Sequence, residues 1–503
     1  MISIQTNINN MIPKNILPHL QPTEWRKIAQ KFEAIVGKKS VVQRREELLT
    51  YECDSLTSYR QRPALVVLPR TTEQVAEVVK ICHQNQIPWV TRGAGTGISG
   101  GALPVENCVL IVTTLMKQIL KVDLENQLII VQAGVINNWV TQAISGSGFY
   151  YAPDPSSQTV CTIGGNIAEN AGGIHCLKYG VTNNHVLGLK LVITDGSVVD
   201  VGGMIPEMPG YDLTGLFVGS EGTLGIATEI TLRIIKTPEA IGTLLADFAT
   251  IEDAGNAVTN IISAGIMPAA MELMDNMTIN AIEDIISTGC YPREAAAVLL
   301  IELDGLAVEV ESNKQQVAKI CQQNGARNVI IASDQQMRVK LWQGRKTALI
   351  ALGYQSNYFL QDGVIPRTQL ASVLKEIAAL GNKYGYRIAN TLHAGDGNLH
   401  PVILYNHSVS AAFKQVEELS GEILKLCVRV GGSISGEHGI GADKKCLMPE
   451  MFNDADLETM QLLRLAFNPQ GLANPGKIFP TPHTCGEAAQ AQKMGQFSGL
   501  EVF

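Results

Sequence analysis

Three features of the sequence predict a loop-rich α/β or α+β enzyme built from more than one domain. The 503 residues exceed what one average core holds. Charged residues make up 17% and aromatic residues 5%, against 47 glycines and a mean hydropathy of +0.11. That balance is too apolar for disorder and too glycine-rich for a simple helical bundle. Short apolar runs, finally, alternate with stretches of helical periodicity along most of the chain.

The elements follow in order. Residues 64–68 read ALVVL and Pro69 follows. Thr71 and Gln74 then have the spacing of a capping box, ahead of a helix that places Val75, Val78, Val79 and Cys82 on one face. PWVTR (88–92) completes a β-α-β unit. Further strands are predicted at 109–113 and 128–134, with a helix near 137–145. Asp195-Gly196 reads as the turn of a hairpin joining LKLVIT to SVVDV. A run from Ile226 to Ile235 closes this half. After Pro238 the rhythm changes to strands at TLLADF, AAAVLLIEL and NVIIA, with helices from about Ile251 and Val308. The expected division is therefore 1–238, with a core from about 60, then 239–430. A glycine-rich segment 431–480 is expected to return to the first domain, and the tail 481–503 to be poorly ordered.

Charge and cysteine usage narrow the classes of partner. Thirty-nine Lys plus Arg against 47 Asp plus Glu give −8, so nothing steers the chain to nucleic acid. The ten cysteines contain no Cys-x-x-Cys, which spells out neither a disulfide framework nor a Cys-ligated zinc or iron–sulfur centre. A reducing, cytoplasmic setting follows. The first 20 residues lack a signal-peptide pattern, and no apolar stretch is long enough to span a bilayer. At most, peripheral contact with a membrane remains.

Arg92 to Gly101 (RGAGTGISGG) is the densest glycine cluster, directly after a predicted strand. Glycines there let successive N–H groups converge on a phosphate. Gly95, Gly97 and Gly100 satisfy G-x-G-x-x-G, but Pro104 and a strand follow where a dinucleotide fingerprint needs a helix. Two further small-residue tracts, 153–173 and 219–226, permit close approach of backbone to a ligand. In HAGDGNLH (393–400), Asp396-Gly397 reads as a two-residue hairpin turn that would set His393 opposite His400. Opposed imidazoles about 5 Å apart at Cβ can share a metal or simply stack. Glu437 and His438, in SGEHGIG, add a carboxylate and a third imidazole. Two histidines and Glu437 would hold a divalent ion with open positions, leaving His438 as a base.

Together these tracts resemble the FAD-linked 2-hydroxyacid dehydrogenases of the vanillyl-alcohol oxidase type flavoprotein superfamily, over residues 45–480. The flavin subunits of glycolate dehydrogenases (glycolate oxidases) look nearest, with D-lactate and D-2-hydroxyglutarate dehydrogenases as relatives. The resemblance implies an α+β fold, with a two-lobed FAD-binding domain of the p-cresol methylhydroxylase type. A C-terminal cap follows, an antiparallel sheet covered by helices. By motif match, Gly93, Ala94, Gly95, Thr96 and Gly97 would hold the pyrophosphate. Pro153, Asp154, Ser157, Gly164, Gly165, Asn166, Asn170 and Gly172 would line the rest of FAD, with Gly219, Glu221, Gly222, Ile226 and Asn474. His393, His400 and Glu437 match metal ligands of zinc-dependent relatives, His438 the base, and Arg345 the arginine that pairs with substrate carboxylate. Thr96 stands where covalent-flavin subgroups carry histidine, so FAD is expected to be noncovalent.

The implied reaction is oxidation of a small 2-hydroxy acid, glycolate or D-lactate, with hydride passing to the flavin rather than to NAD. Electrons would leave to an iron–sulfur subunit or a quinone, and homo-oligomerisation is open. The alternatives are D-2-hydroxyglutarate as substrate, or a noncatalytic FAD-binding subunit. A non-redox ether-lipid synthase, the other branch the resemblance allows, depends on tunnel motifs not found here.

Overall fold

A computed structural model describes residues 20–206, 209–409 and 412–480; the tail 481–503 lies outside them. The chain divides into two compact units. Unit 1 comprises Met1–Ala171, Val181–Lys236 and Glu437–Phe503, and unit 2 comprises Gly172–Gly180 and Thr237–Gly436.

Unit 1 begins with strands β1 (Val41–Val42), β2 (Leu65–Val67), β3 (Trp89–Arg92) and β4 (Val109–Val112), in the order β1-β2-β4-β3. β2, β4 and β3 run parallel because the helix Thr72–Gln84 crosses over between β2 and β3. Thr71 Oγ1 accepts from Gln74 N (3.3 Å), while the Gln74 side chain reaches back to the amide of Arg70 at 2.8 Å. The helix buries Val75, Val78, Val79 and Cys82, as its periodicity predicts, against Leu65, Val67, Trp89, Val109 and Ile111. The alternate residues Val66, Val90, Leu110 and Val112 form a second core on the other face. β-strand period 2 thus divides the apolar residues of these short strands between the two cores.

A second sheet of unit 1 holds β5 (Ile119–Asp123), β6 (Leu128–Gln132), β8 (Val186–Ile193), β9 (Val198–Gly202) and β10 (Gly225–Arg233), in the antiparallel order β5-β6-β10-β8-β9. The short β7 (Phe149–Tyr150) and β11 (Ile235–Lys236) pair with each other. The turn at Asp195-Gly196 is where the sequence places it, with Val192 opposite Val198 and Gly196 at φ +85°. The C-terminal segment joins this unit on the exposed side of β3. Trp89 N donates to Leu472 O (2.9 Å), Asn474 N donates to Trp89 O (2.8 Å), and Leu472 and Ala473 enter the Trp89 core.

Unit 2 is one antiparallel sheet. Its strands are β12 (Ala240–Phe248), β13 (Ala270–Asp275), β14 (Ala297–Gly305), β15 (Ala326–Ile331), β16 (Asn357–Leu360), β17 (Gly363–Val364), β18 (Arg387–His393) and β19 (Asn398–Tyr405). The order is β15-β12-β14-β13-β18-β19-β16, with β17 also on β19. Side chains of Asp275 and Asp334 cap the helices Asn276–Ile286 and Gln335–Gln355. These helices bury Ile279, Ile282, Leu341, Trp342, Ala348 and Leu352 on the face that carries Ala270, Met274, Val298, Leu300, Ala389 and Val402.

The hairpin β18–β19 departs from the predicted register. His393 pairs with Asn398 and His400 with Thr391, so four residues, not two, make the loop. The reason is the next strand: Ala394 N donates to Met271 O of β13 (2.8 Å) and is withdrawn from the hairpin. A shift of two residues keeps side chains on the same face. His393 and His400 therefore remain neighbours, diagonal rather than opposed. No helix among the described residues is long and apolar enough to cross a membrane.

Gly397 closes the loop at φ +81°, and a Cβ there would run into the carbonyl oxygen of Ile365. Gly397→Ala is expected to cost at least about 1–3 kcal/mol from backbone strain and collision. A denaturant midpoint unchanged from wild type would refute this.

Candidate functional site

A band of polar side chains crosses one face of the unit 2 sheet beside an apolar cluster. Glu302 (β14), Glu272 (β13), His393 (β18) and His400 (β19) all lie on it, because Ala270 pairs with Glu302 and Glu272 pairs with both Leu300 and His393. The helix Gln335–Gln355 supplies two arginines seven residues apart, Arg338 and Arg345, hence on one side of the helix.

Two bridges result. Glu302 accepts a bidentate pair from Arg338 (Nε to Oε2 and Nη2 to Oε1, both 3.1 Å), Trp342 Nε1 at 2.6 Å and Thr243 Oγ1 at 3.3 Å, and lies 3.3 Å from His175 Nε2. Burial pushes the Glu302 carboxyl up, but His175 and Arg338 outweigh it and hold the group at about 2. Glu272 is fully buried, accepts from Arg345 Nε at 2.7 Å, and sits 2.6 Å from His393 Nδ1. Burial raises this carboxyl too, yet Arg345 and His393 hold it below the ordinary range. The bridges differ in what they leave over. Arg338 spends its fork on Glu302, whereas among the described residues the two terminal nitrogens of Arg345 donate to no protein acceptor.

His393 and His400 meet edge to face with ring centroids 5.0 Å apart, and nitrogens of the two rings lie within 4.8 Å. Nδ1 of His393 faces Glu272 and Nδ1 of His400 faces the Gln361 carbonyl at 3.2 Å. Acceptors at both Nδ1 atoms assign those protons and make each Nε2 the lone-pair side of its ring. Asp362 lies within 4.8 Å of His400 and accepts from Ser435 Oγ (2.7 Å) and Gly436 N (3.1 Å). Asn398 Oδ1 is buried with no hydrogen-bond partner.

In unit 1 the glycine tracts converge behind β3. A Cβ on Gly93 would strike Thr162 Oγ1, the cap of the helix Ile163–Glu169 that contains Gly164, Gly165 and Asn166. Gly219 approaches Asn170, and Gly222 lies against Thr91 and Asn474. Asn474 Nδ2 donates to Glu221 O (2.6 Å) and Gly101 O (2.9 Å). Among the described residues the amides of 94–98 donate to no protein acceptor, while Thr91 Oγ1 and Asn166 Nδ2 are buried without partners. Unspent donors around open glycine backbone fit a phosphate-bearing ligand. Pro153 adjoins through its carbonyl, bonded by Asn137 Nδ2 at 3.1 Å, and Ser157 O receives Cys161 N just before Thr162.

Ile226 is part of the core beside Val192, Gly172 belongs to the piece of chain 172–180 in unit 2, and Asp154 is half-buried. The Glu221 side chain is committed to protein: Oε1 and Oε2 accept the amides of Ile440 and Gly441, each at 2.7 Å. It thereby fixes the residues directly after Glu437 and His438, whose carboxylate and ring are 3.7 Å apart. Sequence reading missed Glu272, Gln361, Asp362 and Glu302. The one available signal was an acid inside an apolar strand, as in AMELMD and VLLIELD.

Residues 63–202 match the family described as FAD binding domain, and 237–478 match FAD linked oxidases, C-terminal domain. The chain belongs to the FAD-linked oxidase family. It is 49% identical to glycolate oxidase subunit GlcD of Escherichia coli K12 over 88% of this chain and 89% of that protein. It is 33% identical to a D-lactate dehydrogenase of Anaerostipes hadrus over 89% and 96%. The solved structure of p-cresol methylhydroxylase superposes with a TM-score of 0.76 at 18% identity, covering 92% of this chain and 98% of that one. The predicted fold, a vanillyl-alcohol oxidase type flavin domain followed by a sheet covered with helices, stands.

Glu302 is ionised in the folded chain down to about pH 2, whereas an ordinary carboxyl takes its proton near 4.5. Its stabilisation is complete above about pH 5 and is lost as pH falls toward 2. Between about pH 6 and pH 3.5 this group alone should remove about 1 kcal/mol. Urea melts of wild type and Glu302→Gln check this, the variant losing less over that interval.

Proposed function

We propose that this chain is a FAD-linked dehydrogenase of a small 2-hydroxy acid, glycolate or D-lactate, with FAD bound noncovalently in unit 1. Its electrons pass to a non-NAD acceptor, either an iron–sulfur subunit or a quinone. The observation that carries this reading is the contrast between Arg338 and Arg345. Both are held by a buried glutamate, but only Arg345 keeps its terminal nitrogens, and a guanidinium fork matches a carboxylate. That fork lies on the same sheet face as His393 and His400, where a 2-hydroxy acid would present carboxylate and hydroxyl together.

His393 and His400 would hold a divalent ion through Nε2, with Glu437 as third ligand. The third assignment rests on the motif match of SGEHGIG. Two imidazoles and a carboxylate with open positions suit catalytic zinc. The ion held there would supply a lowered pKa for a hydroxyl, and FAD held in unit 1 would supply the hydride acceptor.

The chain's own residues do the rest. Arg345 fixes the substrate carboxylate, and with it the direction of the C2–H bond. His438 takes the hydroxyl proton on an imidazole nitrogen. The residues after it are held by the bonds of the Ile440 and Gly441 amides to Glu221. The residues 93–97, 153, 154, 157, 164–166, 170, 172, 219, 221, 222, 226 and 474 are assigned to FAD, Glu221 and Ile226 through backbone only. Thr96 offers no nucleophilic ring for a covalent flavin link. A cytoplasmic setting, peripheral to the inner face of a membrane, suits transfer to a quinone.

The deciding experiment adds glycolate, D-lactate, L-lactate and D-2-hydroxyglutarate separately to the anaerobic flavoprotein, with and without chelator. Glycolate or D-lactate should bleach the flavin and the chelator should abolish it. Flavin that none of the four acids bleaches would replace this reading by a noncatalytic flavin-binding subunit. Arg345→Lys should raise KM by about 10-fold or more, the loss of one charge-assisted hydrogen bond. His438→Ala should lower kcat about 10²–10⁴-fold with KM little changed, measured by steady-state dye reduction; wild-type kcat in that variant would remove His438 as the base.

A further inference from the structure

We infer that Glu272 is a positioning residue that sets the metal ligand His393 and the substrate-binding Arg345 with one carboxylate, making metal affinity and carboxylate recognition depend on the same side chain. The inference rests on the reading of His393 as a ligand and Arg345 as the clamp. Glu272 splits its two oxygens between them, Oε2 to Arg345 Nε (2.7 Å) and Oε1 to His393 Nδ1 (2.6 Å). Through Oε2 it holds the inner nitrogen of the guanidinium and leaves both terminal nitrogens for a ligand. Through Oε1 it fixes the Nδ1 proton, turns Nε2 to the metal side and strengthens that nitrogen as a donor.

The same molecule contains the matched comparison. Glu302 lies on the next strand of the same sheet face and is equally buried. It too joins an arginine of the same helix to a histidine. Its bridge, however, consumes both faces of the Arg338 fork and adds Trp342 and Thr243. Glu302 therefore serves packing and charge compensation, and Glu272 serves the ligand-binding groups attached to it. General damage from removing a buried carboxylate should appear in both variants, and loss of positioning only in one.

The test uses the full-length flavoprotein, stripped of metal and titrated with zinc against a chromophoric chelator, so that no turnover is needed. Glu272→Gln is expected to weaken zinc binding about 10- to 100-fold and to raise KM for glycolate or D-lactate, with flavin content and spectrum unchanged. Glu302→Gln should lower the melting temperature but leave zinc affinity and KM as in wild type. Equal zinc affinity in wild type and Glu272→Gln would overturn the inference, as would equal weakening in both variants. Should Glu272→Gln fail to fold, Glu272→Asp keeps the charge one carbon short; weakened zinc binding there supports the role, and wild-type affinity overturns it. A wild-type protein that binds no zinc would remove the metal reading and this inference with it, a result distinguishable from failure of Glu272 alone.

Discussion

A carboxylate without access to water must be compensated where it stands, and in unit 2 that requirement organises the whole polar band. Glu272 replaces an apolar residue in the middle of β13, and an unpaired charge there would cost several kcal/mol. The sequence answers from two directions, with Arg345 reaching down from the helix above and His393 lying opposite on β18. Removal of either partner would leave one oxygen of the buried carboxylate uncompensated. The arrangement gives a histidine of fixed tautomer and an arginine of fixed direction at the cost of one buried acid, on a sheet face that carries Ala270, Met274, Val298, Leu300, Ala389 and Val402 beside the band.

Unit 1 relies on backbone where unit 2 relies on side chains. The groups it leaves without protein partners are backbone amides in the loop after β3, beside glycines of three separate tracts gathered by a few long-range bonds. Asn474 is the clearest of these, since one side chain amide ties the C-terminal segment to Gly101 and to Glu221. The pyrophosphate-binding reading needs donors without partners, and the run 94–98 has them.

Much of this was legible in the sequence, and what was not has a common cause. Period-2 and period-3.6 patterns located β2, β3, β4, β12 and β14 and the helix at Thr72 because each element faces one core. The glycine tracts were legible because three dense runs of small residues exceed what chain reversals alone require. The pairing of His393 with Asn398 was not, since a bond from Ala394 to Met271, over a hundred residues away, decides the register. Arg338 and Arg345 have the same helical phase, so periodicity does not separate them; the motif match names Arg345, and the physical contrast lies in their hydrogen bonds. Glu272 and Asp362 carry no motif at all, because a buried partner is chosen by position in space rather than by spacing in the chain.

The division of the chain has a consequence for how the protein is made. Unit 1 is assembled from three stretches of chain and unit 2 from two, the smaller being nine residues lent from the middle of unit 1. As the polypeptide emerges from the ribosome, the first unit lacks the strip that pairs with Trp89 until almost everything has been synthesised. Domain-by-domain completion from the N-terminus is thus closed to this topology. The β3 edge waits, open, for its last segment through most of translation, an edge for a chaperone to shield.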